Sequence, residues 1–214
     1  MYLLKFESLN IFTVFHIWLQ TFFTTGLFII THDSMHGSLA PNFKKINKAL
    51  GVASIFMYAG FQYSKLKENH FKHHEHPATE KDPDYTGHKK ENLFVWIKDF
   101  VVKYYGLREF IIMHLHVGIV FGLGQSFPKV ILFFAIPAWL SALQLFYFGT
   151  YLPHKGFEKS HKLRTRSNSF PGWLSLITCY HFGYHKEHHL YPGASWWELP
   201  GLRALTLKTE KRSA

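Results

Sequence analysis

Histidines at repeated spacings are the residues of this sequence best suited to do chemistry. Sixteen histidines occur in 214 residues. Eight of them form three clusters: His32 and His36; His70, His73 and His74; His185, His188 and His189. Residues three or four apart share one face of a helix, so their imidazoles can point at one centre, while the adjacent histidine of each doublet points elsewhere. Scattered structural histidines would not repeat this spacing, so we predict a metal site.

The number of imidazoles indicates more than one metal ion. Eight ligands exceed the four that a zinc ion usually takes. Imidazole suits zinc, copper, iron and nickel. Two ions that share these ligands keep open positions for oxygen, which favours redox iron, although the spacing is equally compatible with two zinc ions. The one cysteine, Cys179, excludes an internal disulfide and a cysteine-based zinc or iron–sulfur site formed by this chain alone.

Carboxylates that could orient the histidine ligands lie near the clusters. A metal-bound histidine usually donates its second ring N–H to a carboxylate or a carbonyl. Five carboxylates lie near the clusters: Asp33, Glu75, Asp82, Asp84 and Glu187. Among them we expect Asp33, Asp84 and Glu187 to contact the ligands. We expect the same of His181, which lies four residues before His185 and could share its face of a helix.

Apolar runs alternate with polar stretches that carry the clusters. The apolar share is 47% and the mean hydropathy is −0.06, so apolar and polar residues are segregated along the chain. Runs at about 11–31, 107–123 and 130–152 are long enough to be considered as membrane spans. The run at about 49–63 is too short to cross twice. Because His32 and His70 must reach one side, we expect this run to lie in the interface or to re-enter.

The expected fold is therefore an all-α integral membrane protein. It consists of one domain over residues 1–214, with about three transmembrane helices, an interfacial helix and a His-rich helical cap at about 32–106 and 153–214. The net charge of +10 collects on the side of the clusters, which the positive-inside rule makes cytoplasmic. No aromatic-basic platform for a nucleic acid is present, so nucleic acid is not expected as a partner.

The residues around the clusters resemble a known family. Segments 28–37 (FIITHDSMHG), 148–154 (FGTYLPH), 178–189 (TCYHFGYHKEHH) and 196–200 (WWELP) are similar to the bacterial β-carotene 4-ketolase family. That family belongs to the membrane fatty-acid desaturase and hydroxylase superfamily. The similarity covers about residues 10–202.

The resemblance implies an activity and a set of partners. It implies oxidation of the ring C4 methylene of β-carotene to a ketone, through echinenone to canthaxanthin, by two successive hydroxylations and loss of water. Two Fe2+ ions, O2 and a carotenoid drawn from the membrane lipid are implied, with ferredoxin and its reductase as separate electron donors. The implied location is the bacterial inner membrane, with the active site on the cytoplasmic side.

The resemblance also adds one ligand and one topological expectation. It implies a ninth histidine about thirty residues before the last cluster, where His154 lies, whereas His76 and His161 are not assigned as ligands. Relatives usually carry a further span before the one that ends in the first cluster. Since about ten residues precede Ile11 here, we expect three spans and an N-terminus outside.

Aromatic residues in the last apolar run could contact the substrate, and two other functions would also fit the histidine clusters. An aromatic stripe could line the path of the carotenoid: Phe133, Phe134, Trp139, Phe146, Tyr147 and Tyr151. A carotenoid 3-hydroxylase, or a desaturase or hydroxylase of another membrane lipid, would use the same site chemistry. A membrane metal-binding or transport protein is the non-enzymatic alternative, but transporters carry ionisable residues within their spans, and the clusters here lie at span ends.

Overall fold

Helices form all the regular structure of the residues described by the computed structural model, which are 10–85, 92–157 and 163–213. The prediction of an all-α chain is therefore confirmed for this part of the protein. In chain order the helices are α1 (Ile11–His36), α2 (Lys44–Ala59), α3 (Tyr63–Glu75), α4 (Leu93–Tyr104), α5 (Leu107–Gly122), α6 (Phe127–His154), α7 (Gly172–Cys179), α8 (His185–Leu190) and α9 (Leu199–Ser213).

Helix α1 carries the first histidine cluster on its own last turns. Its N-terminus is capped by Asn10, whose side-chain oxygen accepts the N–H groups of Phe12 (3.0 Å) and Thr13 (3.1 Å). Its C-terminus ends at Gly37, which takes a left-handed conformation (φ 80°) that glycine adopts without strain. The helix therefore runs past the predicted end of the span near residue 31 and includes His36.

Helix α6 is one continuous helix that delivers His154. It contains two π-helical segments, Ile131–Ala135 and Tyr147–Tyr151, which widen the turns. A π-segment rotates the residues that follow it relative to a regular helix, and such segments are frequent at functional sites. The second one immediately precedes the short α-helical end Leu152–His154, so it sets the direction of the His154 side chain.

Two described helices, α1 and α6, are long and apolar enough to cross a membrane. They cover the predicted spans at 11–31 and 130–152. The third predicted span, 107–123, forms α5, which has only 16 residues and buries none of them. Three spans are therefore not confirmed. The run predicted at 49–63 begins within α2, which packs along α1.

Helices α1 and α2 approach closely at Gly51. A Cβ atom added at Gly51 would overlap the Ser34 side chain of α1 and the Tyr63 ring. The contact is polar as well, since the Asn47 side chain donates to the Ser34 carbonyl (2.7 Å) and the Ser34 hydroxyl lies 3.1 Å from the Tyr63 hydroxyl. This contact fixes α2 and the start of α3 against the turns of α1 that carry His32 and His36.

A Gly51→Ala substitution tests this packing. The added methyl group must push Ser34 or Tyr63 aside, and overpacking of this kind costs about 1–3 kcal/mol. We expect a lower unfolding temperature of the detergent-solubilised protein than in Gly118→Ala, where no atom lies within 4 Å of the added Cβ. Equal unfolding temperatures for the two variants would contradict the close packing of α1 and α2.

Helix α4 lies within the stretch expected to belong to the cytosolic cap. It begins with the apolar residues 93–97, and Trp96 is 1% exposed. The Trp96 indole donates to the Asp84 carbonyl (2.7 Å), and the Tyr104 hydroxyl donates to the Asp84 carboxylate (2.5 Å). These bonds hold α4 against the loop that follows α3, beside the second histidine cluster.

Candidate metal centre

Nine histidines gather where α1, α3, α6 and α8 meet, and these are the nine that the sequence analysis singled out. They form two groups, and within each group the candidate ligand atoms all lie within 4.8 Å of one another. The first group is His32, His36, His70, His74 and His188, and the second is His73, His154, His185 and His189. The structure thus places two candidate metal positions side by side.

Helical spacing explains how the clusters divide between the groups. Pairs four residues apart stay together, because i and i+4 share a face: His70 with His74 in the first group, and His185 with His189 in the second. The remaining histidine of each HxxHH cluster turns to the other group, so His73 joins the second and His188 the first. Helices α3 and α8 therefore each contribute to both groups and hold them together.

The Nε2 atoms converge as ligands of a metal would. In the first group the Nε2 atom of His188 lies 3.1 Å from that of His32 and 2.8 Å from that of His74. In the second, the Nε2 atom of His189 lies 3.2 Å from that of His73 and 3.1 Å from that of His185. Nitrogen ligands about 2.1 Å from one ion are about 3.0–3.4 Å apart, depending on the coordination angle. The observed spacing therefore fits imidazoles around metal ions.

Burial keeps the imidazoles of α3 and α8 other than His73 neutral. Desolvation, followed by repulsion from neighbouring imidazoles, holds the pKa of His70, His185, His188 and His189 well below the usual range. The pKa of His74 is lowered for the same reasons. Neutral imidazoles have the free lone pair that a metal ion needs.

Two carboxylates fix the orientation of ligand rings. The Asp33 carboxylate lies 3.1 Å from Nδ1 of His32 and also accepts the Trp196 backbone N–H (2.9 Å). The Asp82 carboxylate lies 2.9 Å from Nδ1 of His73 and accepts the N–H groups of Ala78 and Asp84, both at 2.8 Å. A proton held on Nδ1 by these bonds leaves Nε2 free for a metal.

Charge as well as geometry links His73 to Asp82. Burial alone would lower the pKa of His73, but the Asp82 carboxylate outweighs it and the pKa is raised. Burial alone would raise the pKa of Asp82, and His73 outweighs it in turn, so this pKa is lowered. The pair is therefore an electrostatic anchor for the ring of His73.

Asp84 was expected from the sequence to contact a ligand, but Asp82, two residues before it, makes the bond to His73. Asp84 does lie with His73 and Asp82 in one close group of potential ligands. Its side chain, however, accepts the hydroxyl of Tyr104, and burial raises its pKa. Asp82 and Asp84 were both among the carboxylates near the clusters. Because Asp82 lies nine residues after His73, no local spacing indicates which of the two carboxylates contacts His73.

The prediction for Glu187 was wrong, since its carboxylate meets Arg203 (3.1 Å) and the hydroxyl of Ser167 rather than an imidazole. Glu187 follows His185 by two positions, which places it on the opposite face of α8. It is completely buried and holds α8 against α9. The residue supports the helix that carries three histidines through its bonds to Arg203 and Ser167.

The prediction for His181 was also wrong. Helix α7 ends at Cys179, and Tyr180 and His181 take positive φ angles of 49° and 61°. His181 and His185 therefore do not share a helix face. The ring of His181 stacks at 6.2 Å on Trp196 instead.

His154 has the environment expected of a metal ligand. Its Nδ1 donates to the Arg164 carbonyl (2.8 Å), whereas its buried Nε2 has no hydrogen-bond partner in the described part of the chain. Its ring lies 4.6 Å from that of His73 and 4.9 Å from that of His185. Since buried polar atoms are normally paired, the orphaned nitrogen supports a metal position in the second group.

Other described histidines stay apart from both groups. His16 packs on Phe133, and the Nδ1 atom of His114 bonds its own helix at Phe110. His116 packs on Phe56. His161 lies outside the described residues.

Comparison with known proteins places the chain in a family. The model of the fatty acid desaturase family matches residues 9–117 and 104–210. The chain belongs to the fatty acid desaturase family. No solved structure gives a significant match.

Relatives within the fatty acid desaturase family carry names that concern carotenoids. A β-carotene ketolase from Paracoccus sp. (strain PC1) is 42% identical over 188 residues, which are 86% of this chain and 76% of the relative. A zeaxanthin 4-ketolase from Chlamydomonas reinhardtii is 40% identical, covering 86% of this chain and 42% of the relative. A β-carotene ketolase from Haematococcus lacustris is 39% identical, covering 86% of this chain and 60% of the relative.

Membership of the fatty acid desaturase family explains why apolar side chains are exposed on the outside of the helices. Helices α1 and α6 are long enough to span, and large apolar side chains such as Phe12 (77% exposed) and Trp139 (62% exposed) cover the outside. Exposed apolar surface of this extent suits lipid rather than water. The chain is therefore a membrane protein.

An apolar cavity of about 440 Å³ leads to the histidines of this desaturase family member. Its inner end is formed by histidines of both groups: His32, His70, His73 and His185. Its walls come from α1, α2, α4, α5 and α6 and are almost entirely apolar: Phe28, Met35, Phe61, Ile97, Phe100, Val101, Met113 and Leu145. The cavity connects the candidate metal positions with the apolar outside of the helices.

The predicted aromatic stripe contributes only in part to this cavity. Trp139 and Phe146 line it, whereas the other four residues of the stripe are not among its walls. Phe133 packs on His16, and Tyr151 packs on Trp96. The cavity walls from α1 and α4 were not predicted from the sequence. For α4, the apolar run at 93–97 was the available signal.

Proposed function

We propose that this chain is a di-iron, O2-dependent β-carotene 4-ketolase. The observation that carries the proposal is the pair of histidine groups at the inner end of an apolar cavity. The names of the relatives support the substrate, since ketolases of β-carotene or zeaxanthin are 38–42% identical to this chain over most of its length. The overall reaction turns the C4 methylene of the carotenoid ring into a ketone.

The nine histidines are the proposed ligands of two iron ions. Bound iron would supply the power to oxidise a ring C–H bond with O2. The chain provides neutral imidazoles, and Asp33 and Asp82 hold two of the rings with Nε2 directed inward. The apolar walls exclude water from the reacting carbon and hold the ring against the histidines.

The reaction balances as two hydroxylations at one carbon. Each hydroxylation consumes one O2, two electrons and two protons, and releases one water. The carbon that then bears two hydroxyl groups loses water to leave the ketone. The first ring gives echinenone and the second gives canthaxanthin.

The carotenoid enters from the bilayer in this proposal. Phe110, Trp139 and Leu143 line the cavity and are also exposed on the outside of α5 and α6. The cavity thus opens towards lipid between these helices. Its volume suits one end ring, and the polyene continues out into the membrane.

The proposed topology follows the sequence analysis. The chain is one domain over residues 1–214 with α1, α5 and α6 spanning the bacterial inner membrane, and α2 lies in the interface. The histidine groups lie on the cytoplasmic side, where the basic residues that follow α1 also lie. Residues 37–75 contain six lysines and two glutamates, which agrees with the positive-inside rule.

The proposed electron donor is a ferredoxin, kept reduced by its reductase. The net charge of +10 suits an acidic partner. Lys67 lies 5.5 Å from the ring of Phe71, which is 45% exposed and 5.4 Å from the ring of His36. A positive charge therefore lies next to Phe71, which contacts a partly exposed member of the first group.

Electron delivery from ferredoxin is expected to depend on salt. An increase in ionic strength screens charges of opposite sign, so the rate at which reduced ferredoxin is reoxidised by the iron-loaded protein should fall by about tenfold. Stopped-flow absorbance of ferredoxin measures this rate, and an uncharged chemical reductant is the control. A rate that stays constant with salt would contradict an acidic protein donor.

Expression in cells that accumulate β-carotene tests the proposed function. We expect echinenone and canthaxanthin in the pigment extract, and unchanged β-carotene with the His188→Ala variant, which loses a ligand of the first group. Zeaxanthin in place of the ketones would make the protein a 3-hydroxylase and overturn the proposal. So would unchanged β-carotene when the protein is in the membrane and loaded with iron.

A further inference from the structure

We propose that Phe182 determines which ring carbon is oxidised. It does so by forming the inner wall against which the carotenoid ring rests. This inference rests on the proposed function and deepens it, because it names the residue that sets the position of oxidation. Phe182 lies in the turn between α7 and α8 and is neither a candidate ligand nor a partner of one through hydrogen bonds.

The ring of Phe182 stands between the two histidine groups. Its centroid lies 4.7 Å from the ring of His32 in the first group and 5.3 Å from the ring of His185 in the second, with both contacts edge to face. The same three residues line the cavity, and Phe182 is only 7% exposed. A molecule that reaches the histidines through the cavity therefore meets the Phe182 ring at the same depth.

The backbone around Phe182 is held in an unusual conformation. The two preceding residues, Tyr180 and His181, both have positive φ angles although neither is glycine. Such strain persists only where the surroundings enforce it, and it clusters at functional positions. Here the Tyr180 ring stacks on Phe22 at 4.3 Å, and the Phe182 N–H donates to the Cys179 carbonyl at 2.7 Å. The turn thus fixes where the Phe182 ring stands.

Helix α6 leaves room for the Phe182 ring at Gly149. A Cβ atom added at Gly149 would overlap Cε1 and Cδ1 of Phe182. Gly149 also lines the cavity, within the π-helical segment that leads to His154. A glycine on one side and a strained turn on the other place one aromatic ring at the inner end of the cavity.

The position of this ring sets the depth at which the carotenoid ring stops. C3 and C4 are neighbouring methylenes, so a displacement of about one bond length exchanges the carbon that faces the metal positions. Apolar pockets discriminate about 10–200-fold for one methylene. Loss of the Phe182 ring should therefore raise the share of products oxidised away from C4 by about tenfold.

The first test replaces Phe182 by leucine or alanine in cells that accumulate β-carotene. Pigments are analysed for the position of oxidation, and the purified proteins are analysed for iron. We expect products oxidised at C2 or C3 beside C4, with iron at the wild-type level. The matched control is Phe148→Leu, because Phe148 is a partly buried aromatic next to Gly149 that does not line the cavity. It should give the products of the wild type.

The outcomes separate this inference from the proposed function. If the wild type forms no ketone, the proposed function fails. If the wild type forms ketone and Phe182→Leu oxidises C4 alone with normal iron, this inference is overturned. Loss of iron from both Phe182 variants also overturns it, since Phe182 would then support the ligands rather than the substrate.

A second test uses Gly149→Ala to displace the ring. The added methyl group should push the Phe182 ring into the cavity and abolish product while iron stays bound. The double variant Gly149→Ala with Phe182→Ala should recover product, because the overlap is removed. A double variant that stays inactive although it binds iron would contradict a direct steric relation between the Phe182 ring and the substrate.

Discussion

Replacement of His154 by alanine is expected to abolish ketone formation and to lower bound iron from about two ions to about one per chain. Among the described residues the second group has four histidines, and the buried Nε2 of His154 has no hydrogen-bond partner. Removal of one of four ligands leaves that position with too few nitrogens for tight binding. The five histidines of the first group keep all their contacts, so one ion should remain.

Metal analysis and pigment analysis of the same preparations measure both parts of this prediction. His116→Ala is the control, because His116 lies on α5 against Phe56 and outside both groups. The sequence also predicts that the His161→Ala variant retains activity. His161 lies outside the described residues. Substantial ketone formation by His154→Ala, or about two iron ions in it, would remove His154 from the ligand set.

Replacement of Asp82 by asparagine is expected to lower both iron affinity and ketone formation by about 10–100-fold. Asparagine keeps the size of the side chain but loses the charge that holds the proton on Nδ1 of His73. The ring of His73 can then turn or take the other tautomer, which removes Nε2 from the second group.

Iron retained during dialysis against a graded chelator measures the change caused by Asp82→Asn. Glu75→Gln is the matched control, since Glu75 lies near the same cluster but its side chain is 72% exposed. Iron should leave the Asp82→Asn protein at a lower chelator concentration than it leaves the Glu75→Gln protein. Identical retention in the two variants would show that Asp82 does not orient His73.

The histidine groups could be predicted from the sequence because their geometry is local. Helical periodicity predicts that His70 shares a face with one histidine of the His73–His74 doublet and that the other points elsewhere, and the structure pairs His70 with His74. His154 needed the resemblance as well, since no spacing connects it with the other clusters. The helical class of the fold followed from the long apolar runs that alternate with polar stretches.

Apart from Asp33, which directly follows His32, the groups around the ligands could not be predicted, because tertiary contacts choose them. Asp82 and Asp84 differ by two positions in a loop, and only the folded loop shows which one reaches His73. The spacing of four between His181 and His185 suggested that they share a helix face. Because α7 ends at Cys179, they do not. The cavity wall formed by α4 depends on bonds from Trp96 and Tyr104 to a distant loop.

Two iron ions held by the nine histidines are the basis of the proposed chemistry. Metal analysis of the wild-type protein, purified in detergent from cells supplied with iron, tests it most directly. We expect about two iron ions per wild-type chain. A variant that lacks both His32 and His185, one histidine from each group, should bind less than one. Zinc alone in the wild-type protein, or iron that survives in the double variant, would contradict this expectation.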